Sequence, residues 1–274
     1  MSNIVSVGTN KGGVGKSALA MFSAITSAAR GKKTVVVDMD SQCGLSFRIP
    51  GATKHLRRGF AKSIVLGREI PLEDFEIGGN LWFVPGDLSA EIHGEKDCDA
   101  RKADRFLSLL LDRYDMVIVD SGPRPTELEK KVLSRGDVHF LPAGADKASI
   151  VGVIYRMINV IDISERIISR DKFFFIPWGV NTGEKTGKNA KLMNDMSTVM
   201  EKFGMSVLPP FAPVQDMTDF ICGLDGIDME NFLKYPGIAR KRKEILEWSE
   251  RLWEKACTAM EPSPAITSGS SAGD

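Results

Sequence analysis

Two short, continuously apolar runs, Val35-Val36-Val37 and Met116-Val117-Ile118-Val119, each stop at an aspartate. A strand exposed on one face alternates apolar and polar residues, whereas a run with no alternation is expected where both faces are covered. Further strand candidates are Ile4–Val7, Leu81–Val84, Val138–Pro142, Phe173–Val180 and Met205–Leu208, the two aspartate-ended strands being Thr34–Asp38 and Met116–Asp120. Helical patterns fall between them at about 17–29, 100–113, 125–135, 147–160, 188–203 and 238–259. This alternation predicts an α/β fold: a mostly parallel, twisted sheet with helices on both faces and right-handed crossovers. Ligands of such sheets bind at the carboxyl ends of the strands, the edge where both aspartates fall. No internal repeat is evident. With 274 residues, 43% of them hydrophobic, the chain can bury one substantial core. We expect a single domain over residues 1–260. Residues 261–274, rich in Ser, Gly, Ala and Pro, are expected to form a disordered tail.

Composition excludes several classes. Lysine plus arginine equals aspartate plus glutamate at 36 each, so the chain is not basic overall, although a local basic patch stays open. Cys43, Cys98, Cys222 and Cys257 are scattered without a CxxC pair, which reads as reduced thiols and not as a disulfide framework or zinc site. The first residues lack the basic and apolar regions of a signal peptide. The most apolar later stretch, Ile150 to Ile163, is interrupted by Arg156 and Asp162 and is too short to span a bilayer. A cytoplasmic location is expected.

The first strand candidate runs into Gly8-Thr9-Asn10 and then Lys11-Gly12-Gly13-Val14-Gly15-Lys16-Ser17-Ala18, which opens an apolar-periodic helix. Glycines at 12, 13 and 15 let successive N–H groups turn inward, forming an anion nest at a helix N-terminus. The backbone from Gly12 to Ala18 would cradle phosphates, Lys16 would reach the outer ones, and the Ser17 hydroxyl would ligate magnesium. The ordinary pattern G-x-x-x-x-G-K-[ST] fails, because Asn10 stands where its first glycine belongs. K-G-G-x-G-K-[ST] fits instead, a string expected by chance on the order of once in several million positions. Asp38 and Asp40 follow the second strand, and Asp120 ends a later one in the Walker B manner.

With these motifs in place, the chain resembles the ParA/MinD family of deviant Walker A ATPases, and most closely its ParA branch of plasmid and chromosome partition proteins. The resemblance runs through about residues 1–225: K-G-G-V-G-K-S, then D-M-D-S-Q where the family usually has D-x-D-P-Q, then V-D-S-G-P, with supporting similarity at 63–67 and 81–86. It implies slow, partner-stimulated hydrolysis of ATP with Mg2+ and a nucleotide-dependent homodimer. Lys11 would be the signature lysine that reaches a partner's nucleotide. Lys16 would neutralise phosphate charge, and Asp40 would orient the attacking water. Ser17, Asp40 and Asp120 would hold magnesium, and Asn181 would read adenine. Asp38 stays open between a site role and a structural carboxylate that pins its loop.

What such a switch acts on is less legible. The ParA resemblance implies DNA binding without sequence preference and a ParB-like adaptor or activator. Phosphate contacts need clustered cations; the candidates are Arg240, Lys241, Arg242 and Lys243 with Lys234 before them, and Lys185, Lys188 and Lys191. Against this, Pro213 to Met217 lacks the arginines that ParA-like proteins usually carry there. The first strand begins at Ile4, so no helix-turn-helix is expected before it. The alternative is a MinD-like positioning ATPase with residues 238–259 as a membrane-inserting amphipathic helix; Ile245, Leu246, Leu252, Trp253 and Ala256 share one face, and a final core helix packed on the sheet is the favoured reading of that stripe. An ATP-coupled metabolic enzyme is a further alternative. Iron–sulfur and tyrosine-kinase branches are excluded by the missing CxxC and tyrosine-rich tail.

Overall fold

A computed structural model describes residues 3–56, 75–88, 100–164, 168–178, 188–211 and 227–261. Among these, the strands are β1 (Ile4–Val7), β2 (Thr34–Asp38), β3 (Phe75–Gly78), β4 (Leu81–Val84), β5 (Met116–Asp120), β6 (Val138–Ala143), β7 (Phe173–Pro177) and β8 (Ser206–Val207). The helices are α1 (Lys16–Ala28), α2 (Ala100–Leu111), α3 (Glu127–Leu133), α4 (Lys147–Ile163), α5 (Lys188–Lys202), α6 (Met229–Lys234), α7 (Pro236–Ala239) and α8 (Arg242–Met260).

The strands form one sheet in the order β3-β4-β2-β5-β1-β6-β7-β8. All neighbouring pairs are parallel except β3 with β4. Register carries the functional consequence: Asp38 lies opposite Asp120, and Val7 flanks Asp120 on its other side. Both carboxylates therefore sit beside the start of the glycine-rich loop, at the carboxyl edge of the three central strands.

Successive strand residues face opposite layers, as the two-residue period demands. Val5, Val7, Val36, Ile118, Phe140 and Ile176 join one core with α1 and α8, whereas Ile4, Val35, Val37, Val117, Val119 and Leu141 join the other with α2, α3 and α4. The continuous apolar runs are thus explained by cover on both sides. Helix entries follow local chemistry. Thr126 and Glu129 form a reciprocal capping box that starts α3, and the Asp146 side chain accepts from the Ser149 N–H to start α4.

Several expected boundaries shift. β3 was not foreseen: it is a partly exposed edge strand, joined to β4 by Gly79-Asn80, with Asn80 in the left-handed region at φ 58°. The expected strand 173–180 ends at Pro177, and Trp178 makes only an isolated bridge to Phe211. The strand expected at 205–208 shortens to Ser206–Val207. The expected last helix, 238–259, is two helices, because Arg240 and Lys241 form the turn between α7 and α8. Residues 262–274 of the expected tail lie outside the described residues, as do Cys98 and Cys222, while Cys43 and Cys257 are unbridged. No described helix is long and apolar enough to cross a membrane.

The apolar face of α8 is spent in the core. Ile245, Leu252 and Ala256 are buried, and Trp248 packs tilted against Phe22 and Phe211 and edge-on to Trp178, with its indole N–H donating to Pro209 O at 3.0 Å. Trp248→Ala should therefore cost about 3–5 kcal/mol, read from the urea midpoint. A loss under about 1 kcal/mol, the range of surface substitutions, would show that α8 does not pack there.

Candidate functional site

The loop after β1 is clamped along its length. Gly8 N–H donates to Phe140 O at 3.0 Å and Asn10 N–H to Gly152 O at 3.4 Å, so β6 and α4 both hold the chain before it turns. Gly15 caps α1 in the left-handed region, at φ +83°. A side chain there meets two obstacles, since its Cβ would also fall 2.0 Å from the Trp178 indole nitrogen. The turn brings the unbonded amides of the first α1 turn towards the cleft.

The two lysines of the loop are differently placed. Lys16 is buried and donates to the Lys11 carbonyl at 2.8 Å. Burial lowers its pKa, although the charges of Asp120 and Asp40 pull the other way. Lys11 turns outward: its ammonium pairs with the Asp146 carboxylate and donates to Ser149 Oγ at 3.2 Å. For Asp146, partial burial opposes ionisation, but the bonds from Lys11 and Ser149 win and hold its pKa below the ordinary value.

The carboxylates divide into distinct roles. Asp38 is fully buried and accepts from Ser46 N at 2.8 Å, Ser46 Oγ at 2.6 Å and Asp40 N at 3.2 Å. Ser46 Oγ in turn accepts from Gly86 N at 2.7 Å. Asp38 thus ties the loops after β2 and β4 together, as a structural carboxylate would; burial still lifts its pKa to about 6. Asp120 is equally buried, yet neither carboxylate oxygen has a well-formed hydrogen bond among the described residues. Burial, then the nearby charge of Asp38, pushes its pKa well up; Ser17 and Lys16 offset only part of this. Asp40 accepts from Gln42 N at 3.0 Å and faces the cleft.

That cleft is lined on one wall by Gly12, Gly13, Gly15, Lys16, Ser17 and Ala18, and on the other by Asp40, Gln42, Gly44, Leu45, Arg48 and Pro123. Among the described residues no group of three or more His, Cys, Asp or Glu side chains forms a metal cage. Ser17, Asp40 and the under-bonded Asp120 instead supply a partial, hard, all-oxygen set. Magnesium suits such a set, because it keeps waters and takes its remaining ligands from phosphate.

Most expected site residues therefore meet. Val14 is buried beneath the loop instead of lining the cleft, and Asn181 lies outside the described residues. Arg240, Arg242 and Lys243 are exposed and Lys241 is half-buried. The run enters α8 just before Trp248, which packs on Trp178 and Phe211 and so belongs to the cleft edge of the sheet. Lys234 is already paired with Glu230 at 2.5 Å; Lys191 is exposed, and Lys185 is outside the described residues. Sequence reasoning missed Arg48, Trp178, Asp146, Glu129 and Arg156. Arg156 left a signal as a charge inside a largely apolar helical stretch, and Glu129 left one as the last residue of a T-x-x-E capping box.

A glycine-rich phosphate loop between a central strand and α1, with two strand-end aspartates beside it, defines a phosphate-loop α/β protein. The family model AAA_31, described as an AAA domain, matches residues 2–171, and the chain belongs to that family. It is 26% identical over 160 residues to the maintenance of carboxysome distribution protein A of Synechococcus elongatus, across 56% of this chain and 63% of that one. The chain spans just under two thirds of the length of the curated relatives it matches. Among solved structures, a plasmid partition protein of Borrelia burgdorferi superposes with TM-score 0.68 at 18% identity, covering 93% of this chain and 99% of that one. The pNOB8 ParA bound to nonspecific DNA superposes with TM-score 0.65 at 16% identity, covering 94% and 99%. These structures share the fold.

Asp120→Asn tests the metal assignment through opposite signs. Removing a costly buried carboxylate should raise the melting temperature of the ligand-free protein by at least about 2 °C, while abolishing the further rise that Mg2+ gives in the presence of nucleotide. Differential scanning fluorimetry reads both; a variant that keeps the Mg2+-dependent rise would remove Asp120 from the metal site.

Proposed function

We propose that this chain is a ParA-like partition ATPase, a single phosphate-loop domain over residues 1–260 that hydrolyses ATP to ADP and phosphate and uses the nucleotide to control dimerisation. The observation that carries the reading is the convergence of Lys16, Ser17, Asp40 and Asp120 on one cleft, with Lys11 beside it. Bound magnesium would neutralise phosphate charge, held by Ser17, Asp40 and Asp120. Lys16 exchanges the Lys11 carbonyl for phosphate oxygens. Asp40 orients a water for in-line attack at the γ-phosphorus, where positioning and charge compensation supply most of the catalysis. Asn181 is assigned to adenine.

Lys11 is the switch. Its pair with Asp146 joins side chains that are 33% and 42% exposed, so it is of the weak, solvent-screened kind. Exchange of Asp146 for the phosphates of a second copy's nucleotide is therefore inexpensive, and it links nucleotide state to dimerisation. The output is cargo positioning on DNA bound without sequence preference, with a ParB-like partner accelerating slow hydrolysis; this would make the protein cytoplasmic and nucleoid-associated. The Borrelia partition protein, the carboxysome distribution protein and the DNA-bound pNOB8 ParA support that class of role. The core packing of α8 weighs against the membrane alternative.

Fluorescence anisotropy of ATP-bound protein on random-sequence duplex DNA, titrated with salt, tests the output. Neutralising Arg240, Arg242 and Lys243 to alanine should weaken binding and flatten the log–log salt slope by roughly 2–3, at about 0.9 per lost phosphate contact. An unchanged slope would move the DNA surface elsewhere. Absence of DNA binding by the ATP-bound wild type would reject the partition role.

A further inference from the structure

Among the described residues the largest fully buried side chain is Arg156, in the middle of α4 and 2% exposed. Its Nη2 donates to Gly122 O at 2.5 Å and to Thr9 O at 3.3 Å, while Nε and Nη1 have no hydrogen-bond partner among the described residues. Glu129, equally buried on α3, grips the same glycine from the other side: Oε1 accepts from Gly122 N at 2.8 Å and Oε2 from Thr126 N at 3.2 Å. Gly122 is thus fixed at both its N–H and its carbonyl by opposite charges on two helices. A Cβ on Gly122 would fall 2.9 Å from Asp40 Oδ1, so this backbone lies against the side chain assigned to the attacking water with no room for a methyl group. The next residue, Pro123, lines the cleft.

Stability alone is a poor reason for this arrangement. A buried charged pair contributes little over apolar residues of similar size, and two guanidinium nitrogens here are left unbonded. Burial drives Arg156 down to about 10 and Glu129 up to about 7, each eased by the charge of the other. What the arrangement does supply is placement. One guanidinium spans Thr9, at the start of the phosphate loop, and Gly122, in the loop after β5.

We propose that Arg156 and Glu129 are positioning residues for hydrolysis, which lock Gly122 between the phosphate loop and Asp40 and thereby set where Asp40 holds its water. The inference rests on the ATPase reading. Neither residue touches nucleotide; both act through the Gly122 backbone. Loss of the lock should lower kcat while leaving ground-state nucleotide binding in place, since misplacement of an orienting group by an ångström is felt at the transition state.

Steady-state ATP hydrolysis by the full chain tests this in three variants, with thermal melting to establish folding. Arg156→Lys keeps the charge but is one bond shorter, so its ammonium falls short of the point from which Nη2 meets both carbonyls; it should lose about tenfold or more in kcat with KM changed by no more than about threefold. Gly122→Ala leaves both buried charges in place and displaces Asp40 directly, so it should show the same split even if Arg156→Lys fails to fold. The double variant Arg156→Lys/Glu129→Gln should be no slower than its slower single variant, because both act on one glycine. Wild-type kcat in folded Arg156→Lys and in Gly122→Ala, or a raised KM with kcat unchanged, overturns the inference alone. A wild-type protein that hydrolyses no ATP overturns both the inference and the ATPase reading.

Discussion

The phosphate loop keeps its shape because α4 and its N-terminal approach hold it at four points. Gly152 O receives the Asn10 N–H, Asp146 and Ser149 hold the Lys11 ammonium, and Arg156 reaches the Thr9 carbonyl from below. Trp178 closes the far side against Gly15. One helix therefore shapes the loop, parks its outward lysine and supports the loop after β5.

The same edge concentrates buried charge. Asp38, Asp120, Lys16, Glu129 and Arg156 are all buried there, in a medium that penalises each of them. The fold satisfies Asp38 with three donors and Glu129 with two backbone N–H groups. It leaves Asp120 under-bonded and Lys16 on a borrowed loop carbonyl. Asp38 and Glu129 pin loops, whereas on the proposed reading Asp120 and Lys16 would take their remaining partners from Mg2+ and nucleotide. This division separates Asp38 from Asp120, although both end central strands at matching register.

The central sheet was legible because burial on both faces leaves an unbroken apolar run, and the cleft because few other strings put three glycines and two lysines at that spacing. β3 escaped because a half-exposed edge strand has a weak pattern; its one clear mark was the Gly-Gly-Asn turn before Leu81. The split between α7 and α8 escaped because Pro236 is well tolerated at a helix start and Arg240-Lys241 carries no breaker. Arg156, Glu129, Asp146 and Trp178 could not be assigned from sequence, since their roles arise from contacts across more than one element. The apolar stripe of α8 is open to two environments in the sequence, with the core one favoured, and it packs in the core against α1.

On the proposed reading, exchange of Lys11 from its own Asp146 to a second copy's nucleotide would turn the phosphate-binding loop into a switch. Sedimentation velocity of the full chain without nucleotide, with Mg·ADP and with Mg·ATP measures that exchange most directly, with Lys11→Ala run alongside. A shift from monomer to dimer in Mg·ATP alone, absent in Lys11→Ala, is the expected result. The same distribution for the wild type in all three states, or an unchanged ATP-dependent dimer in Lys11→Ala, would contradict it.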